Sequence, residues 1–346
     1  MASIPSPLIF DILIKLPVKS LARFKALNKL CCSFITDPSF INIHLKKCTA
    51  KEAEPENDPC LIVSCMEHRS LHSTIHFLTV RNEHAVLEYS PPVSFDSYQL
   101  LPSCNGLVCF YGLHGGVYVC NPCTKDMVKL PDFDAQGRRF LSCGFGFDDT
   151  SGKHKVIKIL EPLILGIFSM GNGSWRKIRQ HPCFGFLHHQ PPVFSGGFFY
   201  WFSSTSLSIV SFDIRNEIFE AITPPKSVSD KDWCQLYLVE LGGELCLVDL
   251  DYELDQARKG MEIWMLKKEH WVRLGSIVHR SEPIDTSRPV GLKGNEILLH
   301  GFIKGVGNLS FYNLQTGGFR PLEIRGIPSQ CFHVSHHVES LFQAGH

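Results

Sequence analysis

Leu16-Pro17-Val18-Lys19-Ser20-Leu21 lies at the centre of residues 1–46, the stretch in which apolar residues recur with a helical period. Leu8, Ile9, Ile12 and Leu13 fall on one helical face, and Pro17 ends that run because the residue before a proline is pushed out of the α region. Val18, Leu21 and Phe24 make a second run, and Leu27, Leu30, Phe34 and Ile35 a third that stops at Asp37-Pro38. Phe40, Ile41 and Leu45 predict a last short helix. So small a bundle buries too little of its surface to be robust alone. Its spare apolar side chains are therefore expected to meet a partner, the alternative being a helical cap on the domain that follows.

Outward from this unit, a polar segment at 47–59 reads as a linker, and from 60 to 346 the pattern changes to short aromatic or β-branched runs separated by Gly, Pro and Asn turns. That is an all-β signature. Within it Asn121 and Met127, Ser169 and Trp175, Asp213 and Phe219, Met265 and Trp271, and Asn313 and Phe319 are each six apart, and the first members are spaced by 48, 44, 52 and 48 residues. Each pair predicts a hairpin in which the returning side chain packs beside the outgoing strand. Other strands open at Asn105-Gly106, Gly196-Gly197, Gly242-Gly243 and Gly294-Asn295, where glycine allows positive φ and close backbone approach, as expected where strands leave a crowded axis. A period near fifty reads as propeller blades. Five units are clear; segments 60–65, 75–80 and 85–89 supply part of a sixth, closed by the C-terminal run 330–342. A two-sheet sandwich is the alternative.

Composition sets outer bounds. The chain has 346 residues, 44% hydrophobic and 20% charged, with thirty-four acidic and thirty-four basic side chains. Nothing global points to nucleic acid or a membrane. Residues 1–48, however, hold seven Lys/Arg against Asp11 and Asp37, a net +5 that leaves 0 − 5 = −5 for the rest. Such a local excess suits an acidic protein partner, the alternative and more frequent meaning being a solvated helix face. Asp11 interrupts the apolar N-terminus and no basic region precedes it, so a secretory signal is not expected. The apolar run at 163–170 is too short to cross a bilayer. Cytoplasm or nucleus is the expected location, with the fourteen cysteines as reduced thiols.

Motifs for chemistry are weak. Gly146 to His154 has five rather than four residues between its glycines, and His154 stands where a magnesium-binding Ser or Thr is needed, so a hairpin turn explains it better than a phosphate loop. Cys120 and Cys123 have no second half at zinc spacing. His68, His72 and His76 recur every four residues, and His333, His336 and His337 bracket a strand, without requiring a metal. No catalytic site, cofactor or metal site is assigned.

Several motifs nonetheless match known families. Ile4-Pro5, Leu8, Asp11-Ile12-Leu13, Leu16 to Leu21, Arg23-Phe24-Lys25, Lys29, Asp37 to Phe40 and His44-Leu45 resemble an F-box, the module that docks the Skp-type adaptor of cullin-RING ubiquitin ligases. The chain departs from that pattern at Cys31, where tryptophan is usual, and at Ser6-Pro7, where an acidic pair is usual. Ser103 to Cys109, Asn121 to Thr124 with Leu130-Pro131, Phe145 to Asp148 with Lys155 to Lys158, Asn172 to Arg176, and Val338 to Leu341 resemble the F-box-associated, kelch-like domain of plant F-box proteins. The pollen determinants of S-RNase self-incompatibility share this architecture, and these motifs do not separate them from the wider family.

The resemblance implies a small all-α F-box at 1–46 followed by an all-β kelch-like propeller of about six blades. It implies a non-catalytic substrate receptor, with Ile4, Pro5, Leu8, Ile12, Leu13, Leu16, Pro17, Val18 and Leu21 forming or supporting the adaptor surface. A second class of function, a β-propeller lectin or enzyme with a helical cap, stays open at this point. The target protein has no readable code, because recognition loops vary freely.

Overall fold

The computed structural model describes residues 6–52, 60–69, 72–81, 84–92, 98–112, 116–133, 138–178, 190–204, 208–228, 231, 235–252, 259–279, 287–303, 306–322 and 332–345. Helices come first: α1 (Ser6–Leu13), α2 (Val18–Phe24), α3 (Lys29–Thr36) and α4 (Pro38–Glu52). Side-chain capping sets the boundaries of α3 and the start of α4. The Asn28 carboxamide oxygen accepts from the Cys31 amide at 2.8 Å to start α3. Asp37 accepts from the amides of Ser39 and Phe40, and Pro38 occupies the first turn, so one dipeptide stops α3 and starts α4. α4 runs to Glu52, into the segment the sequence reading gave to a linker from 47, because the helical hydrogen bonds continue through polar residues.

The strands form six four-stranded antiparallel sheets, in agreement with the expected six blades. From the innermost strand outward, blade 1 comprises Phe332–His336, Leu61–Arg69, His72–Arg81 and His84–Tyr89, so the C-terminal strand closes the ring beside the first one in sequence. Blade 2 is Tyr98–Leu100, Val108–Gly112, Val117–Asn121 and Asp126–Lys129; blade 3 is Phe140–Asp148, Lys153–Leu160, Ile164–Ser169 and Trp175–Lys177. Blade 4 is Val193–Ser195, Phe198–Phe202, Ile209–Asp213 and Phe219–Ile222. Blade 5 is Leu236–Leu241, Glu244–Tyr252, Lys259–Lys267 and His270–His279; blade 6 is Arg288–Lys293, Glu296–Ile303, Val306–Asn313 and Phe319–Leu322.

Apolar clusters fill the seams between consecutive blades. One joins Cys109 and Val119 of blade 2 to Phe145 and Phe168 of blade 3, and the seam between blades 3 and 4 joins Ile157 and Ile167 to Phe199 and Phe212. Equivalent clusters join the other neighbours around the ring. A blade therefore buries both faces, which is why its middle strands read as continuous apolar runs rather than alternating ones.

The hairpin between third and fourth strands has a repeated local cause. Asn121, Asp213 and Asn313 each accept two backbone amides two and three residues ahead, and the residue four ahead, Lys125, Glu217 or Gly317, takes a positive φ. In blades 2, 3, 4 and 6 the returning residue pairs with the one just before the first member of the six-residue pair, as Phe212 does with Phe219. Blade 5 departs from this. Its third strand continues to Lys267, a tight turn at Lys268-Glu269 follows, and Trp271 pairs with Leu266 instead. The equal offset of Met265 and Trp271 thus hides a shorter hairpin.

The turns between first and second strands of blades 2, 4 and 5 place both central residues at positive φ, 59° and 89° at Gly196 and Gly197, which suits a tight two-residue hairpin. The expected crowding holds at Gly106 alone among these turns: a Cβ there meets the Ser340 hydroxyl at 2.4 Å, whereas Gly196, Gly243 and Gly294 face open space. The glycines serve turn geometry, not an axis.

Candidate functional site

The helical unit has a core of its own that includes two propeller residues. Leu13, Val18, Leu21, Ile35 and Phe40 pack with Cys123, from the outer hairpin of blade 2, and Leu341, from the C-terminal tail. Phe10 fills the remaining space by edge-on contacts with Phe34 and Phe40, and Cys31 stands half-buried at the margin. The aromatic volume expected at position 31 is thus supplied from α1 and the end of α3. Buried His44 bonds through its Nε2 to the Leu16 carbonyl at 2.8 Å, and burial lowers its pKa.

Polar contacts fix this unit to the ring. Lys19 forms an ion pair of 2.5 Å with Glu88 on the outer strand of blade 1, and Thr79 donates to the same carboxylate. Burial opposes the Lys19 charge, but the hydrogen bond and charge of Glu88 outweigh it and raise its pKa. The fully buried Asn121 side chain donates to the carbonyls of Ser340 and Phe342 at 2.9 and 2.8 Å. Asp126 accepts the Ala344 amide. The tail that closes the ring is therefore also part of the seat for the helices.

Against this frame the predicted adaptor residues divide. Leu13, Val18 and Leu21 are interior, and Leu16 is half-buried. Leu8 and Ile12, one helical turn apart on α1, are each 53% exposed, and Pro17 is exposed. Ile4 and Pro5 lie outside the described residues. The sequence reading placed Leu8, Ile12 and Leu13 on one face; the structure turns Leu13 inward and leaves the other two in solvent.

Three further exposed apolar residues were not predicted. Leu27, 65% exposed, and Leu30 stand around the start of α3, and Ile43 stands on α4. Ile43 left a signal, since Phe40, Ile41, His44 and Leu45 follow the helical period and it does not. Leu27 and Leu30 left none. Lys15, Arg23, Lys29, Lys46 and Lys47 are exposed on the same unit, so its surface combines apolar side chains with positive charge.

Residues 56–344 match the family described as the F-box associated beta propeller domain. The chain belongs to that family. A putative F-box protein of Arabidopsis thaliana is 26% identical over 96% of this chain and 88% of its own length. An F-box/kelch-repeat protein of the same plant is 26% identical over 92% of this chain and 89% of its own. The F-box protein DOR, also from Arabidopsis thaliana, is 24% identical over 94% and 88%. Resemblance to an F-box protein with a kelch-like propeller, drawn above from motifs, agrees with these matches.

The remaining motifs of this family member find structural places. Gly152 turns a hairpin and Lys153 donates to Asn172 at 2.7 Å. Cys120 lies in the seam between blades 1 and 2, and burial pushes both its thiol and that of Cys123 upward. His68 and His72 fall on two different strands, and His76 bonds to the Ser90 hydroxyl at 2.8 Å. Among the described residues no group of three or more His, Cys, Asp or Glu is placed to hold a metal ion, and no helix is long and apolar enough to cross a membrane.

The hairpin aromatics were expected to pack beside the outgoing strands. Trp175, Phe219 and Trp271 are only half-buried and Phe319 is 41% exposed, because fourth strands form the rim of the ring. Both indoles still bridge blades: Trp175 donates to the Pro131 carbonyl and Trp271 to the Thr223 carbonyl at 2.9 Å.

Proposed function

We propose that this chain is the substrate receptor of a Skp-cullin-F-box ubiquitin ligase, non-catalytic in itself. Its helical unit docks a Skp-type adaptor, and through it the cullin-RING ligase, while the propeller holds a target protein. The observation that carries this reading is the pair Leu8 and Ile12, exposed on a helix whose other side is anchored in a core. Burying one such side chain contributes roughly 1.5 to 3 kcal/mol. Exposed cations around it favour an acidic partner and speed encounter. Ubiquitin transfer then follows from proximity of the target's lysines to a charged conjugating enzyme, an effective-concentration effect. Cytoplasm or nucleus is the location that fits this role.

The test is capture of a Skp-type adaptor by the full chain, wild type and Leu8→Asp/Ile12→Asp. Capture that the double variant abolishes supports the reading. Absence of capture by the wild type, with selective binding on a glycan array, overturns it in favour of a lectin.

A further inference from the structure

Repetition of one meander around the ring makes the innermost strands run the same way, so their first residues gather at one mouth of the axis. Arg288 and Tyr98 are the first residues of their innermost strands, and Tyr237 and His333 the second. The helices sit at the other end. They contact Cys123, in a turn that follows a third strand, and Leu341, beyond the end of the innermost strand of blade 1.

At this mouth the Arg288 guanidinium stands among imidazole and phenol rings. The Arg288 guanidinium lies 5.3 Å from the centre of the Tyr237 ring, and the His333 ring stands edge-on to Tyr98 at 5.9 Å. His300, directly opposite Arg288 in blade 6, is pushed down to about 4, by burial first and then by the charges of His333 and Arg288. Among the described residues neither Arg288 nor His333 is held in an ion pair. The background makes this notable, since the chain outside residues 1–48 carries a net −5, from 0 − 5.

We propose that this mouth receives an anionic group of the target protein, a carboxylate or a phosphate, with Arg288 and His333 as its donors. Placement over the Tyr237 ring orients the guanidinium while leaving N–H groups available for a bidentate contact. The proposal rests on the propeller being the target-holding part, and it assigns target binding to the face away from the adaptor.

The test uses a peptide array in which each peptide occurs in an Asp/Glu-rich, a phosphoserine and a neutral Asn/Gln/Ser version, probed with the full chain. Wild type is expected to prefer anionic peptides over their neutral twins by about tenfold or more, and Arg288→Gln to lose that preference with Tm and adaptor capture retained. Which twin is preferred identifies carboxylate or phosphate. Should Arg288→Gln lower Tm, His333→Gln is the deciding variant, and it must reduce the preference at unchanged Tm. A wild type without preference for anionic peptides overturns the proposal, as does a preference untouched by both variants. Failure of the wild type to capture adaptor refutes the ligase reading instead, and leaves the twin comparison legible.

Discussion

Between neighbouring blades the apolar clusters are shared and closed, whereas in the helical unit Leu13, Val18 and Leu21 turn inward while Leu8, Ile12, Leu27, Leu30 and Ile43 stand in solvent. Half of the ten exposed large apolar side chains among the described residues belong to this short unit, which supports the proposal that it is the docking part. The ring satisfies itself by repetition, each blade covering the next. The helices have no such repeat; one side leans on Cys123 and Leu341 and the other carries apolar side chains in solvent.

The sharpest way to break this contrast is to place a charge on each side of it. Leu21 is fully buried, so Leu21→Asp puts an unpaired carboxylate into the small core at a cost of several kcal/mol. Loss of the helical unit's cooperative melting and of adaptor capture is expected together. Leu8→Asp/Ile12→Asp should leave melting and circular dichroism unchanged yet weaken adaptor binding at least about tenfold, or 1.4 kcal/mol. If the exposed pair melts the unit and Leu21→Asp does not, the inner and outer faces have been assigned the wrong way round.

A second experiment asks how strongly the two regions are joined. Asn121 and Asn313 make the same hairpin contacts, but only Asn121 also holds the Ser340 and Phe342 carbonyls of the tail. Asn313→Ala loses exposed turn bonds, worth about 1 kcal/mol. Asn121→Ala leaves several buried backbone groups unpaired, and about 3 kcal/mol is expected at roughly 1 kcal/mol or more for each group. Denaturant titration of the two variants measures the difference. Equal losses would mean that the tail is held by Gly106 packing and strand pairing without Asn121.

Acid separates the regions by a different route. Buried His154, stacked on Phe145 and bonded to the Cys104 carbonyl, is lowered to about 4, chiefly by burial. Its folded pKa lies below the unfolded value near 6.5, so the unfolded chain takes the proton first. The stability is full above about 6.5 and is lost as pH falls toward about 4, roughly 2 kcal/mol by pH 5. Asp148 behaves differently. Burial works against its charge, but hydrogen bonds from Lys155 and Ser151 and the Lys155 ammonium hold it down to about 2, so its contribution persists until pH falls below about 4. Melting at pH 7 and pH 5 should show the drop, and His154→Gln should shrink it. An unchanged drop would assign the acid sensitivity to His300 and to His44 of the helical unit, whose pKa values are also lowered by burial.

Much of this architecture was legible because hairpins depend on residue types. Asn121, Asp213 and Asn313 mark turns through their own side-chain bonds, and the leftover strands at the two chain ends had only each other to pair with. What escaped depends on tertiary surroundings. Leu8 and Leu13 are chemically identical, and only the packing of α1 on Phe40 and on the tail residue Leu341 decides which is inside. Similarly, Trp271 shares a six-residue offset with the other blades although its hairpin is shorter, a difference carried by positive φ at Lys268 and Glu269. The grouping of Arg288, Tyr237, His300 and His333 at the axial mouth joins residues distant in sequence, and spacing does not reveal it.

The smallest effect tests whether the rim aromatics belong to the self-satisfied ring or to recognition. Trp271 bridges blades 5 and 4 through its indole N–H to the Thr223 carbonyl, while Phe319 makes a ring contact with Tyr312, its partner within blade 6, at 4.9 Å. Trp271→Phe keeps most of the apolar contact and removes the donor, for a loss of about 1 kcal/mol. Phe319→Leu, at an exposed site, should stay within about 0.5 kcal/mol. Neither change should alter target capture in proximity labelling by the full chain, because a residue repeated around the ring does not by itself distinguish one partner from another. Trp271→Phe with unchanged Tm but lost target capture would make that indole a binding hot spot, and would move the recognition surface from the axial mouth to the rim.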